Sequence, residues 1–299
     1  MDDTRGRITK DGIRLHDRAD FAGMQAAGRL AAEILDRIAD HVVPGATTGE
    51  LDRKITEWVR AAGADSATIG YKGFQHASCI SVNHVVCHGI PGAPIPKARS
   101  ETISKNFEKR REDDALQSGD ILNIDVTVIL DGWFGDTSRM FVAGGKPNQK
   151  AERLIQVTHD ALMAGIEAAR PGNTFGDIGH AIQSHVEGQR MSVVRDFCGH
   201  GLGRVFHAPP NVLHYGRAGT GPVLEEGMFF TIEPMVNLGR PETVVLKDDW
   251  TAVTRDKQLS AQFEHSIGIT DQGAEIFTLS PAGRFHPTPD GSFHGAGPS

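Results

Sequence analysis

At 299 residues, with a net charge of −7 and a pI near 6.0, the chain carries no global basic field, which sets aside a nucleic-acid backbone as its main partner. Hydrophobic residues make up 39% and charged residues 23%, a balance that supports a packed core and excludes a wholly disordered chain. No run approaches the roughly 18 uninterrupted apolar residues of a spanning helix, the first twenty residues lack a secretory apolar segment, and Cys79, Cys87 and Cys198 are too few for a disulfide framework. These features predict a cytoplasmic protein with reduced thiols and no membrane contact.

Met24, Ala27, Ala31, Ile34, Leu35, Ile38 and Val42 recur at helical spacing and predict a helix over 21–42, ended by Pro44-Gly45. Thr47 and Glu50 have capping-box spacing ahead of Leu51, Ile55, Trp58 and Val59, which predicts a second helix stopping near Gly63. A third helical pattern through Leu154, Val157, Ala161, Leu162 and Ile166 runs into Pro171-Gly172 and a new helix start at Thr174. The segments beginning at Pro44 and Pro171 align at Pro, Gly, Thr and Gly, and Ile55 keeps the same offset to Ile182. Two related halves follow, each a helix pair with strands.

Between the halves, 120–130 and 133–142 read as strands joined by an Asp131-Gly132 hairpin turn. Further strands are expected over 228–236 and 262–269. The segment 92–118, with Lys109-Arg110-Arg111-Glu112-Asp113-Asp114, reads as a long exposed insertion, solvated or with a short helix. A lid or a ribosome-facing contact through Lys105, Lys109, Arg110 and Arg111 are the other readings of it. From about Ser280 the Pro, Gly and His content predicts a mobile tail over 281–299. The whole is read as a single domain over 1–299 with its core over 12–280.

The hairpin carries the chemistry. A two-residue turn places Asp136 opposite Thr127, and Asp125 shares a face with Thr127 because side chains alternate along a strand. Two carboxylates then converge as diagonal neighbours, at Cα separations of about 7–8 Å. Asp125 interrupts a nearly continuous apolar run from Ile121 to Leu130, so solvated aspartates fit this setting poorly, and a cation resolves their repulsion. Glu233 ends another apolar run, and Gln262, Glu264 and Ser266 point to one side of a third. Among fourteen histidines, His200 stands between glycines that let backbone approach closely, His207 follows it, and His88 sits beside Gly89 and Pro91.

The segments Cys79-Ile80-Ser81-Val82-Asn83, Cys87-His88-Gly89-Ile90-Pro91, Asn123-Ile124-Asp125-Val126-Thr127, Gly135-Asp136-Thr137-Ser138, Gly199-His200-Gly201-Leu202-Gly203, Thr231-Ile232-Glu233-Pro234-Met235 and Gln262-Phe263-Glu264-His265 resemble, in content and order, those of the type I methionine aminopeptidases. The resemblance covers about 12–280. It implies an α+β pita-bread fold of two pseudo-symmetric halves around a curved antiparallel sheet, and a metallo-exopeptidase that removes the initiator methionine from nascent chains, acting as a monomer. It implies that Asp125, Asp136, His200, Glu233 and Glu264 ligate two divalent cations, with Asp136 and Glu264 bridging. Four carboxylates balance two such ions, and a hydroxide bridging them becomes the expected nucleophile. The mixed oxygen and imidazole set suits manganese, iron(II), cobalt or zinc.

By the same resemblance, Glu233 shuttles a proton, His207 stabilises the oxyanion, and His88 contacts the peptide near the leaving nitrogen. Tyr71, Phe74, Cys79, Phe206 and Trp250 would line a methionine pocket, although each aromatic alone serves equally as core. Three positions depart from the family pattern: His84 replaces a usual acid, Ala208-Pro209-Pro210 replaces acidic residues after His207, and Thr68 replaces a frequent cysteine. An X-Pro peptidase of the same fold and a non-catalytic binding module on this scaffold are the rival readings. The first usually carries a large N-terminal domain, and the second should have lost ligands.

Overall fold

The computed structural model describes residues 6–102, 104–144 and 146–287, with the backbone of 293–294. Helix α1, Asp20–Ile38, buries Met24, Ala27, Ala31, Ile34, Leu35 and Ile38 along one stripe. It ends earlier than expected, tightening into a single 3-10 turn at Ala39–His41. Helix α2, Thr48–Ala61, starts at the predicted box, with Glu50 N–H donating to Thr47 Oγ1 and Thr47 N–H to Glu50 Oε2, both at 3.2 Å. The second half repeats the pair as α3, Gln149–Ala168, and α4, Phe175–Gly188, where Asp177 Oδ2 accepts the amide and hydroxyl of Thr174 at 2.7 Å each. Ile55 and Ile182 are both fully buried, as their shared register requires.

In the first half, strands β1 (Ser78–Val82), β2 (Val85–Cys87), β3 (Ile121–Leu130) and β4 (Trp133–Val142) precede α3. β3 and β4 pair antiparallel over their whole length, from Leu130 opposite Trp133 to Ile121 opposite Val142, and Asp136 faces Thr127 as predicted. Asp131 and Gly132 take φ of 51° and 79°, the positive values a primed hairpin turn demands. β1 flanks β3 on its other side, with Cys79 opposite Asp125. All three cysteines are free.

After α4 come β5 (Gly199–Gly201), β6 (Ala208–Val212), β7 (Phe229–Ile232), β8 (Met235–Asn237), β9 (Thr243–Val245), β10 (Ala252–Thr254), β11 (Ser260–Gln262), β12 (His265–Thr270) and β13 (Gly273–Ile276). They form short antiparallel sheets, ordered β6-β5-β7-β12-β13, β11-β8 with an edge at Ser192–Val193, and β9-β10-β2. Each of the two long strands expected here is therefore split, one around Glu233-Pro234 and the other around Phe263-Glu264. Pro234 has no amide to continue a ladder. Across the second gap, Glu264 N–H donates to Ser138 O at 3.1 Å, which fastens this half to β4.

Two expectations need correction. The insertion 92–118 forms no helix among its described residues and is only partly solvated, with Lys105, Lys109, Glu112 and Asp113 exposed but Arg111 turned inward. Arg111 is buried, pairs with both oxygens of Asp120 at 2.6 and 2.9 Å, and donates to Glu101 Oε1 at 2.6 Å. Asn83 Nδ2 and Gln117 N–H complete the shell of Asp120, each at 2.8 Å. Burial opposes ionisation of Asp120, yet these bonds win and hold its carboxyl below the usual range. Of the charge run, Arg110 and Arg111 are thus spent on acids of this chain. Of the expected tail, 288–292 and 295–299 lie outside the described residues, and its start is docked: Ser280 Oγ donates to Asp36 Oδ1 at 2.7 Å and Arg284 Nη1 to Asp40 Oδ1 at 2.8 Å.

Candidate metal centre

The five residues singled out as ligands come from both halves and meet where the split strands end. β4 supplies Asp136, β3 supplies Asp125, β5 supplies His200, and the two gaps supply Glu233 and Glu264. One ligand atom each of Asp136, His200 and Glu264 lies within 4.8 Å of the others. His200 Nε2 stands 3.5 Å from Asp136 Oδ2 and 3.8 Å from Glu233 Oε1. The glycines beside His200 are required by packing, since a Cβ on Gly199 would collide with the Thr231 carbonyl oxygen and one on Gly201 with that of Pro209.

Outer partners fix the donors. Thr127 Oγ1 donates to Asp136 Oδ1 at 2.7 Å, and Ser266 Oγ to the Asp136 carbonyl at 2.6 Å. Thr231 Oγ1 donates to Glu233 Oε1 at 2.9 Å, while its oxygen accepts His200 N–H at 3.0 Å. Gln262 Nε2 reaches Glu233 Oε2 at 3.3 Å, and Glu233 N–H donates to His214 Nε2 at 3.1 Å. Ligand orientation by such partners is a general property of metal sites.

Without a cation the cluster is electrostatically frustrated. Burial and then the neighbouring Asp136 and Glu233 push Asp125 well above the usual carboxylate range, and burial with the same acids does so for Glu264. Burial raises Glu233 to about 7 despite His200 beside it. Hard oxygen donors with one imidazole, gathered where their charges repel, fit divalent cations.

All twelve residues predicted for ligation, catalysis and substrate binding line one cavity of about 880 Å³. The aromatic rings form its wall: Phe74 lies 5.0 Å from Trp250 between centroids, Tyr71 lies 5.0 Å from Phe206, and Tyr71 stacks on His207 at 5.1 Å. Cys79 is buried and its thiol is pushed up by burial and Asp125, so it presents a neutral, apolar sulfur. Burial lowers His88, and burial with His200 lowers His207 to about 4, so both imidazoles are neutral near pH 7. His88 takes φ of 56°, a strained conformation for a residue with a Cβ, and the next position must be glycine because a Cβ there would strike the Ile80 carbonyl.

The cavity also takes in Phe197, Met235 and Gln262, which sequence reasoning did not assign. Phe197 packs edge-on to His88 at 5.5 Å, and its position just before Cys198-Gly199-His200 was the available signal. The departures Thr68 and Ala208-Pro209-Pro210 line the same cavity, whereas His84 does not.

Residues 22–271 match metallopeptidase family M24. The chain is 54% identical over 270 residues to the methionine aminopeptidase of Rickettsia prowazekii, covering 90% of this chain and 96% of that one. The crystal structure of methionine aminopeptidase from Rickettsia prowazekii superposes with a TM-score of 0.80 over 89% of this chain and 100% of its own. The prolidase from Pyrococcus horikoshii, at 19% identity and a TM-score of 0.65 over 63% of that chain, shares the fold alone. This chain belongs to metallopeptidase family M24 and, within it, to the methionine aminopeptidases.

Proposed function

We propose that this protein removes the initiator methionine from nascent polypeptides, with Asp125, Asp136, His200, Glu233 and Glu264 as ligands of two divalent cations. The observation that carries the reading is the convergence of these five donors on a cavity walled by Tyr71, Phe74, Cys79, Phe206 and Trp250. Bound there, the cations supply Lewis acidity toward a peptide carbonyl and lower the pKa of water. The protein's own groups do the rest. The aromatic and sulfur wall takes the unbranched thioether side chain and excludes water from it. Glu233, oriented by Thr231 and Gln262, carries a proton from the attacking water to the leaving nitrogen. His207, neutral and stacked on Tyr71, stabilises the carbonyl oxygen as charge develops, and His88 holds the peptide near the leaving nitrogen.

The substrates are protein N-termini in the cytoplasm, met by a monomer. A transient ribosome contact through 92–118 rests on Lys105 and Lys109, because Arg110 and Arg111 are engaged internally. No helix among the described residues is long and apolar enough to cross a membrane. The deciding experiment is methionine release from Met-Gly-Met-Met, compared with an X-Pro dipeptide, after metal stripping and stepwise return of manganese, cobalt, iron(II) or zinc. Metal-restored release of methionine supports the reading, and cleavage confined to X-Pro peptides overturns it in favour of the other activity on this fold.

A further inference from the structure

The insertion 92–118 is built as a clasp. Its limbs pair through Lys97 N–H to Lys109 O at 2.9 Å, Arg111 N–H to Ile95 O at 2.7 Å and Ile95 N–H to Asp113 O at 3.1 Å. It closes on the turn between β9 and β10, which carries Trp250. Three contacts make the grip. Phe107 packs onto the cluster of Val85, Leu246 and Val253. Glu108 Oε1 accepts Lys247 N–H at 3.2 Å. Arg110 Nη2 donates to Asp248 Oδ2 at 2.8 Å, while its Nη1 donates to Pro94 O at 3.1 Å, so the guanidinium is held from its own side as well.

Asp248 transmits that grip. Its Oδ1 accepts Trp250 N–H at 3.1 Å and Thr251 N–H at 2.7 Å, and its Oδ2 accepts Thr251 Oγ1 at 2.9 Å together with Arg110. One carboxylate therefore joins the insertion to the backbone that sets Trp250, whose ring meets Phe74 at 5.0 Å and His88 at 6.0 Å in the cavity wall. The Arg110 and Asp248 side chains are 21% and 20% exposed, so water screens this pair less than an open surface pair.

We propose that the insertion is a buttress of the methionine pocket, in which Arg110 acts through Asp248 as a positioning residue for Trp250. The inference rests on the reading that this cavity takes a methionine side chain. It assigns the charged segment a role in substrate fit, carried by Arg110 and separate from the ribosome contact of Lys105 and Lys109, and it predicts an effect on KM in place of kcat.

The test uses the full chain in two arms. In a Trp58→Phe, Trp133→Phe background, where Trp250 is the sole indole, Arg110→Met should raise acrylamide quenching about twofold and Arg110→Lys should restore much of the protection. In the otherwise unaltered chain, Arg110→Met should raise KM for Met-Gly-Met-Met about fivefold with kcat within about twofold, and that rise should vanish in a Trp250→Phe background. Unchanged quenching, or a KM rise of equal size with and without Trp250, overturns the proposal. Arg110→Gln, which removes the charge and shortens the reach to Asp248, gives the same two readings if Arg110→Met does not fold. Absence of methionine release by the unaltered enzyme would sink the pocket assignment alone, and the quenching arm would then decide whether the insertion positions Trp250.

Discussion

Thr127 and Asp136 face each other across the β3-β4 hairpin, and the threonine hydroxyl donates to Asp136 Oδ1 at 2.7 Å. That bond leaves Oδ2 turned toward His200, at 3.5 Å. Thr127→Val keeps the branched shape while deleting the donor, and is expected to weaken metal affinity about tenfold. Titration of stripped protein with manganese, followed by calorimetry, measures it, and affinity equal to the parent's would refute the orienting role.

His207→Ala should lower kcat about a hundredfold with little change in KM, because the neutral ring is placed to act as charge develops and not in ground-state binding. Steady-state kinetics on Met-Gly-Met-Met separates the two parameters. A pure KM effect would reassign the residue to substrate docking.

His84 sits fully buried in the turn between β1 and β2, and neither ring nitrogen has a partner among the described residues. Burial, then Lys257 and Arg111, lower its pKa from 6.5 to about 3. Because the folded value lies below the unfolded one, the unfolded chain takes up the proton first as pH falls. The contribution is present above pH 6.5 and is lost progressively on acidification toward pH 3. His84→Leu should flatten the fall of the melting temperature across that window, and parallel pH profiles for the two proteins would exclude His84 as a source of acid sensitivity.

Arg139 and Asp36 form a buried pair at 2.8 Å, and Asp36 also accepts Ser280 Oγ at 2.7 Å and Ala282 N–H at 3.2 Å. Asp36→Ala deletes the bonds to Arg139, Ser280 and Ala282 together and loosens the segment from 280, and should cost about 2 kcal/mol or more. Urea unfolding checks the size. A loss below about 1 kcal/mol, the range of exposed pairs, would refute a stabilising role for Asp36.

The hairpin register was legible because an Asp-Gly turn leaves one way to pair the strands, and every residue of β3 then has a fixed face. The two helix starts were legible because Thr47 and Thr174 act on neighbours three residues ahead. What escaped the sequence is long-range. Alternation gave Glu264 its side, and an apolar run marked Glu233 at its end, but neither revealed the gaps they occupy, since Glu264 leaves its ladder to pair with Ser138 on β4. The fate of 92–118 escaped for the same reason: Arg110 finds Asp248 far along the chain, and composition is silent on partners at such distance.

The ladder contact between Ser138 and Glu264 has a consequence for biosynthesis. Under the proposed ligand set the donors run from Asp125 to Glu264, so the set is complete only when most of the chain has been made. On that reading a copy that ends before Glu264 lacks both a donor and the backbone bridge to Ser138 that fastens the second half to β4.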